Sequence, residues 1–198
     1  MLQLIETICL ENGIFNRISL HEDRMNRSRR ELFGCSNFLH LIDFLIIPME
    51  FNNIKTKCRV TYSESIENIE FERYPGKKTS SLKIIYDDSI DYRYKFRNRE
   101  ALENLCAMRG NAGEILIVRH GQITDTSFSN IVFLKDGIWY TPEFPLLKGT
   151  RREDYLRTDR ICEKIIYPGE LFEYEEARLI NSMCSLEESE SIKISNIY

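Results

Sequence analysis

The sequence predicts the α/β class of fold, with mixed sheets of the α/β or α+β kind, arranged as two lobes. Segments rich in β-branched and aromatic residues intermingle with segments of helical periodicity, which is the order expected of mixed sheets. The 198 residues are enough for one domain or for two small lobes. Residues 75–80, Pro-Gly-Lys-Lys-Thr-Ser, carry the strongest linker signal. We therefore expect an N-terminal α/β lobe over residues 1–76 and a C-terminal lobe over residues 81–198, with the linker at about 75–80.

The N-terminal lobe begins with strand patterns. Residues 2–10 and 14–15 flank Glu11-Asn12-Gly13, a turn signal, and so predict a hairpin. Residues 57–63 and 66–74 are rich in β-branched and aromatic side chains and predict two more strands.

Two helices are predicted in the same lobe. Ser19 and Glu22 have the spacing of a capping box, so a helix should run from there to about Phe33 and stop at Gly34. A second helix is predicted from Ser36, as its cap, to the proline at position 48. Spacings of three and four place four residues on one face of the first helix: His21, Arg24, Ser28 and Leu32.

The C-terminal lobe should also combine strands and helices. An Asp136-Gly137 turn joins two of its predicted strands. The tail from residue 178 is mixed in pattern. Strands are predicted at residues 81–86, 114–119, 130–134 and 138–142, and helices at residues 99–108, from about residue 151, and across residues 169–174.

Composition excludes several classes of protein. The net charge of −4 gives no overall attraction to nucleic acid or to an anionic membrane. The longest apolar stretch is too short to span a bilayer, and no signal peptide is visible. Six scattered cysteines without a CxxC pair and three histidines without ligand spacing predict reduced thiols and no metal site. We therefore expect a cytoplasmic protein.

Lys95 is the first candidate for chemistry. An amine that acts as a nucleophile must be partly neutral near pH 7, which requires desolvation or a nearby cation. Arg97 and Arg99 supply cations close by, and Tyr94 and Phe96 would face away from Lys95 on a strand. Considered alone, most lysines are solvated surface charges, and that is the interpretation Lys95 would receive without its context.

Asp125 is the second candidate. It lies in a run of small hydroxyl residues closed by Asn130, which on its own predicts a polar turn between two strands. The functional interpretation is that a buried carboxylate pairs with the protonated nitrogen of a pyridine ring and keeps that ring an electron sink.

A phosphate-binding element is predicted at Gly149-Thr150-Arg151, because the N-terminus of a helix offers N–H groups and a positive dipole end. Arg24 could add a charge-assisted donor. An ordinary helix cap, and a solvated basic face around Arg24, remain the alternatives.

In this order along the chain, these residues resemble the class IV aminotransferase family, the fold-type IV enzymes that use pyridoxal phosphate (PLP). The Lys95-x-x-Asn98-Arg99 motif is similar to the form found in the lyase branch, 4-amino-4-deoxychorismate lyase. Asp125 and Asn130 correspond to the family's E-x-x-x-x-N. The other segments that carry the resemblance are Glu6-Thr7-Ile8, His21-x-x-Arg24 with Ser28, Leu147-x-Gly149-x-x-Arg152 and Ile180-Asn181-Ser182.

The resemblance implies a two-lobed fold with PLP in the cleft between the lobes. It implies that Lys95 forms the Schiff base and then moves protons as general acid and base, while Asp125 holds the pyridine nitrogen. It also implies a homodimer, a small amino substrate, and a lyase that releases p-aminobenzoate and pyruvate in folate biosynthesis. The residues expected to bind the cofactor are Arg24, Lys95, Asp125, Asn130, Gly149, Thr150, Arg151, Asn181 and Ser182, with the phosphate on Arg24, Thr150, Arg151 and Ser182.

The sequence departs from the family pattern at three points. Asp125 stands where the family has glutamate, and Arg151 where it has threonine or serine. The chain also begins at the first matched strand, without the leader expected of the family. An amino-acid transaminase of the D-amino acid or branched-chain type on the same site is the alternative activity. A degenerate, cofactor-free binding protein is the alternative from another class.

Overall fold

The structure is a computed structural model and describes residues 2–198. Helices and mixed sheets alternate along this range, which confirms the predicted α/β class. The chain forms two compact units: unit 1 comprises residues 2–76 and Tyr94–Asn98, and unit 2 comprises Lys77–Arg93 and Arg99–Tyr198. The division predicted at residues 75–80 assigned the Lys95 segment to the C-terminal lobe, whereas its contacts place it in unit 1. Across residues 2–198, the α-helices are too short or too polar to cross a lipid bilayer.

Unit 1 contains a four-stranded antiparallel sheet. Its strands are β1 (Leu4–Glu11), β2 (Ile14–Phe15), β3 (Thr56–Tyr62) and β4 (Ile66–Arg73). They lie in the order β2-β1-β3-β4. Asn12 and Gly13 both have positive φ, 51° and 73°, which is the backbone that a two-residue hairpin turn requires. The predicted hairpin is therefore confirmed, with Leu10 opposite Phe15.

One long helix, α1 (Ile18–Phe33), packs on this sheet. It ends at Gly34, whose φ of 69° closes the last turn, as predicted. The predicted capping box is wrong: α1 begins after Arg17, which adopts left-handed backbone, and Ser19 lies inside the helix. The predicted face is correct, because His21, Arg24 and Ser28 are buried.

The helix predicted over residues 36–48 is also wrong. The segment contains only a short 3₁₀ turn at Leu41–Asp43, followed by another at Met49–Phe51. Side chains of α1 take the backbone groups that a helix would use: Asn26 bonds both the N–H and the carbonyl of Leu39. Glu22 accepts from the N–H of Leu41 at 2.7 Å. Such local side-chain bonds compete directly with helix formation.

Unit 2 contains two sheets around one core. The first has the order β5-β6-β7 and the second β10-β9-β8-β11-β12. Parallel pairs join β5 to β6 and β9 to β10, and the other pairs are antiparallel. The strands are β5 (Leu82–Tyr86), β6 (Glu114–Arg119), β7 (Gln122–Ile123), β8 (Asn130–Lys135), β9 (Ile138–Pro142), β10 (Cys162–Lys164), β11 (Glu176–Ile180) and β12 (Ile192–Lys193).

The helices of unit 2 are short. Two are α-helices, α2 (Glu100–Ala107) and α3 (Thr150–Arg157), close to their predicted positions. The helix predicted across residues 169–174 is a 3₁₀ helix, Pro168–Glu173. Leu116, Phe133 and Ala177, from β6, β8 and β11, are fully buried in a core shared by both sheets. The polar loop of residues 124–129, between β7 and β8, is mostly buried as well.

Candidate functional site

Lys95 lies in a segment without regular secondary structure that runs beside the start of β1. The N–H of Ile5 donates to the carbonyl of Lys95 at 2.9 Å, and Phe96 forms an antiparallel bridge with Leu4. Tyr94 and Phe96 pack on the core of unit 1, with their ring centroids 5.9 Å apart. The side chain of Lys95 is half-buried. The alternating pattern thus places the aromatic rings in the core and fixes the backbone of the lysine beside β1.

Arg24 is held by a carboxylate that the sequence interpretation used only as part of a strand motif. Glu6 on β1 is completely buried and accepts from Nε and Nη2 of Arg24, at 2.9 and 2.5 Å. Nδ1 of His21 lies 2.6 Å from Oε2 of the same carboxylate. A glutamate within the strand Leu4–Leu10, whose other residues are apolar except for Thr7, was the signal available in the sequence. The phosphate-binding function expected of Arg24 remains a prediction.

Charge states follow from these contacts. Burial opposes the ionisation of Glu6, but the charge of Arg24 and the bonds from His21 and Arg24 outweigh it and lower the pKa of Glu6 to about 2. Burial lowers the pKa of His21, although its contact with Glu6 acts in the opposite direction. Since an ionised carboxylate can only accept, Nδ1 of His21 must carry the shared hydrogen.

Asp125 is 4% exposed, and both of its carboxylate oxygens accept hydrogen bonds. Nδ2 of Asn130 donates to Oδ1 at 2.7 Å, and the backbone N–H of Leu147 donates to Oδ2 at 2.9 Å. Asp125 and Asn130 also form a backbone bridge across the loop. The five-residue spacing seen in the sequence therefore places the two side chains in direct contact.

Burial raises the pKa of Asp125 to about 6. The bonds from Leu147 and Asn130 and the charge of Arg152 act in the opposite direction but do not offset the burial. Burial therefore disfavours the ionised form of the Asp125 carboxylate, and a cation in contact with it would stabilise that form.

Gly149 permits a close approach between Asn130 and the start of α3. A Cβ on Gly149 would lie 2.1 Å from Oδ1 of Asn130, so no other residue fits without movement. Nδ2 of Asn130 also donates to the carbonyl of Leu147 at 2.9 Å. Thr150, the first residue of α3, is buried. Gly149 thus leaves space for the side chain of Asn130 and also precedes the first residue of α3.

Arg151 joins α3 to the turn that follows β11. Its Nε and Nη2 donate at 3.2 Å to the carbonyls of Asn181 and Ser182. Asn181 donates to Oγ of Ser129 at 2.8 Å and accepts from the N–H of Met183. The guanidinium that replaces the family's hydroxyl residue is therefore used to hold the 181–182 turn next to the helix start.

Two further arginines support this region. Arg152 is 1% exposed and donates at 2.8 Å to the carbonyl of Pro142 at the end of β9, which ties α3 to the sheet. Arg99 donates at 2.7 Å to the carbonyl of Ser127, two residues after Asp125. Sequence interpretation placed Arg99 in the lysine motif, and the structure shows that its guanidinium bonds the Asp125 loop.

The structure thus brings most of the predicted residues of unit 2 into one hydrogen-bonded group. Asn130 bonds Asp125 and lies against Gly149, and Arg151, Asn181 and Ser182 form a second linked set. The bond from Asn181 to Ser129, the neighbour of Asn130, connects the two sets. In unit 1, Arg24 bonds β1 through Glu6, and Lys95 bonds the same strand through its backbone.

A model of the amino-transferase class IV family matches residues 3–187. The chain belongs to the class IV aminotransferase family. An uncharacterised protein of Haemophilus influenzae is 35% identical to it over 188 residues, which is 94% of this chain and all of the relative. This confirms the resemblance drawn from the motifs, and enzymes of the family are PLP-dependent.

Solved structures show the same fold. A proposed 4-amino-4-deoxychorismate lyase from Haemophilus somnus is 31% identical, with a TM-score of 0.86 over 94% of this chain and 98% of that one. A proposed amino-acid aminotransferase from Mesorhizobium loti, 19% identical, has a TM-score of 0.81 with complete coverage of both chains. The branched-chain amino acid aminotransferase of Escherichia coli, 14% identical, has a TM-score of 0.70 over 96% of this chain and 75% of its own.

The residues of unit 2 fit the ring of PLP. Asp125 is a buried carboxylate whose pKa is raised by burial, and a protonated ring nitrogen is the kind of cation that would relieve its penalty. A carboxylate has about four acceptor positions, and Asn130, Leu147 and a backbone contact from Leu146 account for three of them. The carboxylate can therefore accept about one further hydrogen bond.

Proposed function

We propose that this chain binds PLP covalently through Lys95 and acts as a lyase of the 4-amino-4-deoxychorismate lyase type. The observation that supports PLP as the cofactor is the buried carboxylate of Asp125, which lies in a hydrogen-bonded loop and whose pKa is raised by burial. The observation that favours the lyase is the Lys95-x-x-Asn98-Arg99 motif, together with Asn181-Ser182. The 31% identity with a structure named as a proposed 4-amino-4-deoxychorismate lyase supports the same choice.

In this proposal the phosphate is bound by Arg24, Thr150, Arg151 and Ser182. Asn130 and Gly149 act indirectly, since their contacts position Asp125 and the start of α3. Asn181 likewise positions the turn that carries Ser182. Arg151 contributes its backbone at the N-terminus of α3, because its guanidinium bonds the 181–182 carbonyls.

When bound, PLP supplies an electron sink for the bond-breaking steps of the reaction. The ionised Asp125 keeps the ring nitrogen protonated, as opposite charges in contact favour each other's charged form. Lys95 then holds and returns the proton at its Nζ, acting as general base and general acid. A homodimer in the cytoplasm, working in folate biosynthesis, completes the proposal.

The experiment has three outcomes. Purified protein is tested for a visible absorbance band that borohydride abolishes, and then incubated with 4-amino-4-deoxychorismate. Formation of p-aminobenzoate and pyruvate in equal amounts supports the lyase. Transfer of the amino group to an added α-keto acid, with recovery of PLP from the pyridoxamine form, would assign the transaminase instead. Protein that binds no PLP under any condition would point to the cofactor-free binding protein.

A further inference from the structure

Glu6, His21 and Arg24 form a buried group with one side chain that reaches the surface. The side chains of Glu6 and His21 have no exposed area, whereas that of Arg24 is 8% exposed. Glu6 lies on β1, and the other two lie one turn apart on α1. The group therefore fixes a strand to a helix, and Arg24 is its one member with exposed area.

The contact orients that guanidinium. Glu6 accepts from Nε and Nη2, so one edge of the planar fork is bound to the carboxylate. The opposite edge, with Nη1, is consequently turned away from Glu6. His21 bonds the carboxylate from a second direction and restrains its rotation. Two well-defined bonds remove most of the rotamer freedom that an arginine side chain otherwise has.

We infer that Glu6 is a positioning residue, which holds Arg24 so that the edge turned away from the carboxylate is presented to the phosphate of PLP, with His21 fixing Glu6 in turn. This inference rests on the proposed function, because it assumes that PLP is the ligand. Preorganisation is the physical reason: a guanidinium already held in its bound orientation loses less conformational entropy on binding.

Stability alone is a weak explanation for this group. A buried ion pair is often no more stabilising than apolar side chains of similar volume, because both charges lose their hydration. Neighbouring positions on β1 and β3, such as Ile8 and Val60, are filled by buried aliphatic side chains. The charged group at Glu6 thus points to a function in orienting the guanidinium of Arg24. Ligand titration can distinguish this function from an effect on stability.

The test compares PLP with pyridoxal, which lacks the phosphate. Protein freed of cofactor is titrated with each compound. The dissociation constant for pyridoxal divided by that for PLP, called the ratio below, measures what the phosphate contributes to binding. In Glu6→Gln, the amide cannot accept both guanidinium bonds. We expect the preference for PLP over pyridoxal to fall by about tenfold or more, the effect of losing roughly one charge-assisted bond.

The matched control is Glu114→Gln. Glu114 is also completely buried and is paired with Lys77 at 2.8 Å, but it lies in unit 2 on β6. We expect this variant to keep the wild-type ratio. If Glu6→Gln does not fold, His21→Gln is titrated in its place, since it leaves the pair of Glu6 and Arg24 intact. It should lower the ratio by a smaller factor.

Several results would overturn the inference. A Glu6→Gln protein that loses affinity for PLP and pyridoxal equally would show that the group acts only on the fold. A ratio that rises would show that the charge of Glu6 repels the phosphate more than its bonds help. Should His21→Gln serve as the folded variant, an unchanged ratio would have the same meaning. Wild-type protein that does not bind PLP would overturn the proposed function together with the inference.

Discussion

Oδ1 of Asn130 lies 2.1 Å from the position that a Cβ on Gly149 would occupy. Asn130 cannot easily move away, because its Nδ2 is bonded both to Asp125 and to the carbonyl of Leu147. The glycine and the asparagine therefore depend on each other, and the Asp125 loop depends on both.

Gly149→Ala should displace Asn130 and loosen its bond to Asp125. We expect the free energy of unfolding to fall by about 1–3 kcal/mol, the usual effect of overpacking, and the affinity for PLP to fall as well. Gly169→Ala is the control, because a Cβ there meets nothing within 4 Å. Chemical denaturation of both variants makes the comparison, and equal stabilities would contradict the steric argument.

The stability of the cofactor-free protein should depend on pH through Asp125. Burial raises its pKa from the ordinary 3.8 to about 6, so the folded state binds the proton more tightly than the unfolded state. Stability contributed by the protonated form is therefore lost as pH rises from about 4 to about 6.

The size of this loss is bounded by the shift in pKa. Relative to Asp125→Asn, which does not titrate, the unfolding free energy of the wild type should fall by at most about 3 kcal/mol over that range. Denaturation curves of both proteins at a series of pH values provide the measurement. Bound PLP should reduce the difference, and parallel pH profiles of the cofactor-free proteins would disprove the assignment.

Asp125 should also control the rate of the reaction. Asp125→Asn preserves size but removes the charge that keeps the ring nitrogen protonated, so single-turnover product formation should slow by orders of magnitude. PLP binding should change much less. A variant that keeps the wild-type rate would return Asp125 to the function of a polar turn.

Asp125→Glu tests the geometry of the shorter side chain. The carboxylate is already held between Asn130 and Leu147 in a buried site, so an added methylene should push against these donors and lower the rate. Unchanged or faster product formation would mean that a water fills the space in the wild type.

Lys95→Ala should abolish covalent attachment of PLP and leave the fold intact, since the backbone of Lys95 makes the bond to Ile5. Borohydride reduction followed by peptide mapping identifies the labelled lysine. Lys57→Ala, on β3 of the same unit, should keep the label at Lys95. A label found on any other lysine of the wild-type protein would refute the assignment.

Arg24 and Ser182 should differ in what they contribute to phosphate binding. Arg24→Ala should weaken the affinity for PLP by about 2–3 kcal/mol, the scale of a hydrogen bond to a charged group. Ser182→Ala should weaken it by about 1 kcal/mol, the scale of a neutral donor. Direct titration checks both, and an unchanged affinity for Arg24→Ala would leave that arginine with a structural function only.

The elements that the sequence determined by itself are those with a local physical cause. Asn12-Gly13 can adopt positive φ at both positions and so makes the hairpin. Gly34 ends α1 for the same reason. The β-branched and aromatic residues of positions 57–63 and 66–74 form the two predicted strands, because such side chains favour extended backbone. The motif spacing also singled out Asp125 and Asn130, and the bond between them is seen only in the structure.

Elsewhere, tertiary contacts overruled local signals. Ser19 has capping-box spacing, yet α1 starts earlier, after Arg17. The apolar residues after Ser36 suggested a helix, but the side chains of Asn26 and Glu22 bond the backbone there. Nothing within residues 36–48 could reveal this competition, because the competing groups belong to another element.

The arrangement of the candidate site also depends on contacts between residues that are distant in the sequence. Glu6 lies 18 residues before Arg24 in the sequence, and Arg151 lies 30 residues before the Asn181 carbonyl to which it donates. Such pairs become visible only when strands and helices have packed, since neither composition nor periodicity specifies them. The sequence therefore determined the types of residue needed for the chemistry and their order. Only the tertiary structure decided which buried group holds each of them, because charge and burial depend on neighbours that are distant along the chain.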